Sequence, residues 1–142
     1  MAGTPLAWLA ARGRVQSACP DPAVANSLIL VVALEPVAGA LLALLAELAG
    51  HTPVFPRPGE LPRDAVSRLK PHLVLLDGDH EAADRDEFYL HVGRTDVRVI
   101  LFSSSNKAQA TERLASQRGA TALTLPTNRQ RLHRTITDAL AA

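Results

Sequence analysis

The sequence predicts an α/β fold in which a doubly wound, five-stranded parallel sheet carries helices on both faces. Five segments favour strands, and segments that favour helices alternate with them along the chain. The first and third strand segments are unbroken apolar runs, which is typical of strands buried on both faces of a parallel sheet. Strands that alternate with helices imply right-handed crossovers and a sheet covered on both sides. In such sheets ligands bind at the carboxyl ends of the strands, so the residues that follow each strand are the candidates for function.

The first predicted unit is a strand, a short turn and a helix. The strand covers residues 28–33, and Pro36 then opens a helix over residues 36–49, because proline is tolerated in the first turn. This helix is rich in alanine and leucine, and Glu47 is its only charged residue. A helix that is apolar nearly all round must be covered on more than one side. We therefore expect a second copy of the chain, or the N-terminal arm through Trp8, to pack on it.

The remaining segments repeat this alternation. Strands are predicted at residues 52–55, 73–76, 97–102 and 120–125, and helices at residues 64–70 and 87–92, from about 106 to 118, and up to about 141. Residues 79–86 are polar and predict a loop, and the third helix is expected to end at Gly93. We expect Asn106 or a neighbouring serine to cap the fourth helix and Thr127 to cap the fifth. The fourth helix should turn Ala110, Leu114 and Ala115 inward.

Length and composition predict one globular domain at residues 28–142, preceded by a partly ordered N-terminal arm at residues 1–27. The net charge of +1 gives no electrostatic reason to expect a nucleic-acid partner. Cys19 is the only cysteine, which excludes a disulfide within the chain and fits a reducing, cytoplasmic location. No apolar run reaches the roughly 18 residues of a membrane span, so we expect no membrane partner.

Five stretches of the sequence together resemble the response-regulator receiver domain of two-component signalling. They are ILVVALEP, LLALLAELAGHTPV, PHLVLLD, VRVILFSSS and RGATALTLPT, and they extend over about residues 28–140. The resemblance implies a flavodoxin-like sheet with strand order 2-1-3-4-5. It places the phosphoacceptor role on Asp77, the family's serine or threonine position on Ser103, and the proline of the last turn on Pro126.

Several positions depart from the pattern of this family. The resemblance implies two acidic residues after the first strand that hold Mg²⁺, but Ala33 and Leu34 occupy these positions, and Glu35 follows one step later. The lysine that precedes the proline in the family corresponds to Leu125, and the aromatic switch residue of the last strand corresponds to Leu123. We identify no residue that replaces the lysine.

These departures weaken the predicted phosphoryl chemistry. Phosphorylating a carboxylate brings a dianionic group against an anion, and Mg²⁺ and lysine normally offset that charge. Mg²⁺ prefers oxygen ligands, which alanine and leucine side chains do not supply. We therefore expect Asp77 to be phosphorylated poorly or not at all, and we expect no metal, no cofactor and no enzymatic activity. Mg²⁺ would be needed only if Asp77 were a working phosphoacceptor, with Glu35 and a backbone carbonyl as further weak ligands.

Each candidate side chain also has a structural interpretation. Asp77 could be hydrogen-bonded to nearby backbone amides, Glu35 could be favourably placed at a helix N-terminus, and Ser103 could cap the following helix. Asp77-Gly78-Asp79 also resembles the opening motif of haloacid-dehalogenase-type phosphatases, although that family carries the motif on its first strand.

Three functions follow from these alternatives. The first is a stand-alone atypical receiver, or pseudo-receiver, that forms a homodimer and binds a protein partner of a signalling pathway independently of phosphorylation. Its first helix and N-terminal arm are the predicted contact surfaces. The second is a phosphoaccepting single-domain response regulator that uses Asp77 with an atypical magnesium site. The third is a small phosphatase.

Overall fold

The computed structural model describes residues 26–141 and confirms the doubly wound α/β fold. Five strands alternate with five α-helices in the described part of the chain. In chain order the elements are β1 (Leu28–Val32), α1 (Pro36–Leu48), β2 (Thr52–Val54), α2 (Pro62–Leu69), β3 (Leu73–Asp77), α3 (Asp86–Thr95), β4 (Arg98–Ser104), α4 (Ala108–Arg118), β5 (Thr121–Leu125) and α5 (Arg129–Ala141). Short 3₁₀ helices at Glu81–Asp84 and Ser105–Lys107 precede α3 and α4.

The five strands form one parallel sheet in the order β2-β1-β3-β4-β5, as predicted. β1 and β3 are central neighbours, with Val32 opposite Leu76. Asp77, the last residue of β3, lies opposite Phe102 of β4, which in turn lies opposite Leu123 of β5. The carboxyl ends of the strands therefore meet at one edge of the sheet, where ligands bind in folds of this kind.

Two apolar clusters cover the two faces of the sheet because successive side chains of a strand point to opposite sides. On one face, alternate residues of the central strands pack under α2, α3 and α4, as Leu30, Leu76 and Leu101 do. On the other face, Ile29, Leu75 and Phe102 pack under α1 and α5. Both faces are thus closed, as the unbroken apolar runs predict.

The segment between β3 and α4 departs from the prediction in three details. Residues 79–86 are not only a loop, since the 3₁₀ helix within them buries Ala82 and Ala83. α3 continues through Gly93 to Thr95 and ends where Asp96 adopts a left-handed backbone with φ of 59°. In α4, Ala110 is exposed and Thr111 is buried in its place, whereas Ala115 lies inward as expected.

The predicted helix caps are also wrong. No side chain caps α4, because the 3₁₀ helix occupies the preceding residues and the Ser104 hydroxyl bonds to Asn106 instead. Asn128, rather than Thr127, caps α5, since the Arg131 N–H donates to Asn128 Oδ1 at 2.8 Å. The cap thus lies one residue closer to the first turn of α5 than predicted.

Helix α1 buries one side against the sheet and leaves an apolar row on the other. Gly39, Leu42, Ala43 and Ala46 are its buried residues. The exposed row, which we call the α1 stripe, consists of Val37, Leu41, Leu44 and Leu48, which are 72%, 42%, 51% and 57% exposed. Positions spaced by three and four residues share one face of a helix, so the row is continuous.

The predicted N-terminal arm, Trp8 and Cys19 lie outside the described residues, so the expectation that Trp8 packs on α1 stays a prediction. Within residues 26–141, no helix combines the length and the apolar character needed to cross a membrane.

Candidate functional site at the carboxyl edge of the sheet

The predicted site residues meet where β1, β3, β4 and β5 end. Asp77 closes β3, and Leu34 follows β1 in the adjacent loop. On β4 and β5, Ser103 lies opposite Thr124, and Ser104 lies opposite Leu125. The fold therefore brings to one edge residues that are far apart in the chain, as the sequence predicts.

The carboxylate of Asp77 links two loops through backbone hydrogen bonds. The Leu34 N–H donates to Asp77 Oδ2 at 3.1 Å, and the Asp79 N–H donates to Asp77 Oδ1 at 3.0 Å. Hydrogen bonds to an ionised acceptor are stronger than those between neutral groups. Asp77 thus holds the loop after β1 against the loop after β3, and each of its oxygens still has lone pairs for another donor or ligand.

Of the three positions after β1, Glu35 alone has a side-chain oxygen that could bind a metal ion. Ala33 is half-buried and packs closely on α1, since a Cβ atom at Gly39 would lie 3.1 Å from the Ala33 Cβ. Leu34 is 57% exposed. Glu35 is exposed at the N-cap position of α1, where its side chain makes no capping hydrogen bond. Among residues 26–141, no three histidine, cysteine or acidic side chains are grouped so that they could hold a metal ion.

A lysine that the sequence analysis missed lies at this edge. The ammonium group of Lys107, from the 3₁₀ helix before α4, is 2.8 Å from Asp79 Oδ2. The hydrogen bond to Asp79 raises the pKa of Lys107, and the charges of Asp79 and then Asp77 raise it further. Lys107 therefore brings to this edge a positive charge that the sequence analysis did not identify. Both partners of the pair are half exposed, so solvent screens it.

Ser103 is buried, and its hydroxyl has no hydrogen-bond partner. It does not cap α4 as the structural interpretation proposed, because β4 continues to Ser104 and a 3₁₀ helix follows. A buried hydroxyl without a partner is costly, and a hydrogen bond to water or to a ligand would offset that cost.

Close packing around Gly78 accounts for the glycine between Asp77 and Asp79. Its N–H donates to the Phe102 carbonyl at 2.8 Å, and a Cβ atom here would lie 3.1 Å from Thr111 Oγ1. The motif follows β3, the third strand of the chain, whereas the resemblance to haloacid-dehalogenase-type phosphatases implies the first. The close approach of β4 and α4 accounts for the glycine without phosphatase chemistry.

The three positions in and after β5 that the resemblance assigns to the switch are apolar. Leu123 is buried in the cluster beneath α1 and α5, and Leu125 is half-buried against the same cluster. Pro126 follows through a cis peptide bond and is exposed. Neither leucine brings a charge to the edge, whereas Lys107 does.

A groove of about 520 Å³ lies beside Leu34, between the start of α1 and the loop after β2. Leu34, Pro36 and Phe55 supply apolar parts of its wall, and Arg57 and His80 supply polar ones. Leu34 and Phe55 are both at least half exposed. The position that the resemblance assigns to a metal ligand is therefore part of an apolar surface.

No family model and no curated protein matches the chain, whereas solved structures of receiver domains do. The receiver domain of a modulated diguanylate cyclase from Desulfovibrio desulfuricans is 22% identical, with a TM-score of 0.64 over 82% of this chain and 94% of that one. A response regulator receiver protein from Burkholderia phymatum is 20% identical, with a TM-score of 0.64 over 82% and 96%.

The receiver domain of the sensor histidine kinase PA1611 from Pseudomonas aeruginosa, solved with a magnesium ion coordinated in its active-site cleft, is 16% identical, with a TM-score of 0.63. That match covers 83% of this chain and the whole of the other. The described chain therefore has the fold of response-regulator receiver domains, as the resemblance implies.

Proposed function

We propose that this chain is a receiver-type module of two-component signalling that acts through protein contacts and does not use phosphorylation as a switch. The observation that carries the proposal is Leu34, which is 57% exposed beside Asp77, where the resemblance implies a magnesium ligand. An exposed leucine there favours contact with an apolar partner surface over binding of a divalent cation. We place the module in the cytoplasm, and we propose that it is not an enzyme.

The charges around Asp77 support this proposal. A phosphoryl group on Asp77 would add negative charge beside Asp79, and catalysis of its transfer rests on cations that offset that charge. Ala33 and Leu34 cannot replace the two acidic ligands, and the ammonium group of Lys107 is already paired with Asp79. We therefore propose that Asp77 acts as a link between two loops rather than as a phosphoacceptor.

The proposal can be tested with Mg²⁺ and acetyl phosphate, with intact mass as the readout. We expect no phosphoryl adduct on the wild-type chain or on Asp77→Asn. The triple variant Ala33→Asp, Leu34→Asp, Leu125→Lys restores the side chains that the resemblance implies, so it should gain an adduct that Asp77→Asn removes. A stoichiometric adduct on the wild type that is lost in Asp77→Asn would refute the proposal.

A phosphoaccepting response regulator is the second candidate, and Lys107 and Ser103 are the observations that favour it. A lysine ammonium and a buried hydroxyl without a partner lie at the same edge as Asp77. If this candidate holds, the wild type forms the adduct, and Lys107→Gln and Ser103→Ala each slow its formation. Lys70→Gln is the matched control, since Lys70 ends α2 at the opposite end of the strands.

We propose that the α1 stripe is the surface through which two copies associate. A homodimer brings together identical apolar surfaces, and the four side chains of the stripe run along the length of α1. The groove beside Leu34 lies near the N-terminal end of α1, so in this proposal it remains available to a signalling partner at the carboxyl edge. Sedimentation velocity at micromolar concentration tests the association, and a monomer throughout would contradict it.

A further inference from the structure

A chain of hydrogen bonds joins the start of β1 to α5 through two histidine rings. His51, which precedes β2, is buried, and its Nδ1 lies 3.3 Å from the backbone nitrogen of Ser27. Its Nε2 lies 3.1 Å from Nδ1 of His133 on α5. The two rings are stacked, with their centroids 5.2 Å apart. The function proposed above uses neither ring.

The backbone N–H at one end of this chain fixes the protonation of every group in it. The Ser27 N–H can only donate, so Nδ1 of His51 must carry a lone pair. A neutral His51 then carries its proton on Nε2 and donates it to Nδ1 of His133. His133 therefore also has a lone pair on Nδ1, and both rings are neutral.

We propose that this chain is an acid-sensitive latch, in which a proton added to either ring breaks a hydrogen bond and releases α5 from the start of β1. A proton on Nδ1 of His51 would face the Ser27 N–H, and a proton on Nδ1 of His133 would face the Nε2–H of His51. Neither arrangement allows both hydrogen bonds to survive. The proposal is independent of the function proposed above.

The surroundings of His51 hold it in the neutral form. Burial lowers the pKa of His51, and a positive charge on His133 would lower it further. In the described chain, His133 on α5 is the one charged or titratable side chain that acts on it. α1 contributes a backbone contact, since the Ala46 carbonyl accepts from the backbone N–H of His51 at 2.9 Å. Ser27, which precedes β1, contributes the backbone N–H that faces the ring.

The sign of the pH dependence follows from this lowered pKa. An unfolded histidine binds a proton near pH 6.5, above the pKa of folded His51, so between these values the unfolded chain holds more protons. Stability from the latch is therefore complete above about pH 6.5 and is lost as the pH falls toward the pKa of folded His51.

The experiment compares urea unfolding of the wild type at about pH 7.5 and about pH 5, on either side of the ordinary histidine pKa. The folding equilibrium constant should fall about tenfold for each unit by which the pKa of His51 is lowered, up to a limit of about thirtyfold at pH 5. His51→Gln and His133→Gln should each reduce this loss. His91→Gln is the matched control, because His91 lies on α3 and bonds to Ser67.

Nitrogen-15 chemical shifts of the wild-type histidine rings provide a second readout, which decides the matter if His51→Gln fails to fold. We expect both rings to be neutral with the proton on Nε2 at about pH 7. A charged His51 at that pH, a proton on its Nδ1, or an acid-induced loss that persists unchanged in both variants would overturn the proposal.

Discussion

Replacing Leu44 and Leu48 by glutamine should weaken the proposed homodimer about tenfold to one-hundredfold. The two side chains are 51% and 57% exposed, so association can still cover about half of each. Burying a whole leucine contributes about 1.5–3 kcal/mol, so each exposed half is worth about 0.8–1.5 kcal/mol. Both protomers carry the change, which gives a gross loss of about 3–6 kcal/mol.

Only about half of that gross loss should appear in the measured affinity, because glutamine keeps two methylene groups and burial in an interface is incomplete. The net loss of about 1.5–3 kcal/mol corresponds to the stated range. Glutamine is a good helix former, so α1 and the monomer should remain intact.

Sedimentation velocity over a range of micromolar concentrations provides the dissociation constants of the wild type and the variants. The matched control is Leu90→Gln, because Leu90 lies on α3 and is 63% exposed outside the α1 stripe. It should leave the dissociation constant unchanged. A wild type that is monomeric at every concentration would refute the proposed homodimer. So would a Leu90→Gln variant that weakens association as much as the double variant does.

Three further predictions concern stability and use chemical denaturation. Leu101→Ala removes a fully buried side chain of β4 and should lower the free energy of unfolding by about 2–5 kcal/mol. Asn128→Ala removes the cap of α5 and should cost about 0.5–2 kcal/mol, whereas the same change at the predicted cap Thr127 should not remove a capping bond. The hydrogen bonds from Arg68, and then that from the Arg57 N–H, lower the pKa of Glu60 to about 2. Stability from this pair should therefore be complete above about pH 4.5 and be lost as the pH falls toward 2, and Arg68→Gln should flatten unfolding free energies measured between about pH 5 and pH 3.

The architecture could be predicted because it depends on patterns that are local in the chain. The unbroken apolar runs at residues 28–33 and 73–76 indicate a sheet buried on both faces, and the structure places the strands β1 and β3 that contain them side by side in the sheet. The sequence signals at helix ends are weaker than those of buried strands. The predicted end of α3 and the predicted caps of α4 and α5 therefore differ from the structure. Ala82 and Ala83 are buried within a segment that is otherwise polar, and two residues are too few to show a period.

The features that the sequence analysis missed, one at the site and one away from it, depend on contacts between distant segments. Lys107 meets Asp79 because β3 and β4 are neighbours in the sheet, and the two residues are 28 positions apart. His51 and His133 are 82 positions apart and meet only once α5 packs beside α1. No spacing rule along the chain links such residues, so only the folded structure reveals them.

The two backbone amides that donate to Asp77 have a consequence for genetics. A substitution at Asp77 removes or rearranges the joint between the loops after β1 and β3, so it changes the surface that contains Leu34. Loss of function in a strain that carries Asp77→Ala would therefore report a rearranged surface around Leu34 as readily as a missing phosphate. Asparagine keeps one acceptor oxygen but turns an amide donor toward the N–H of Leu34 or Asp79, so even this conservative allele perturbs the architecture that it is meant to preserve.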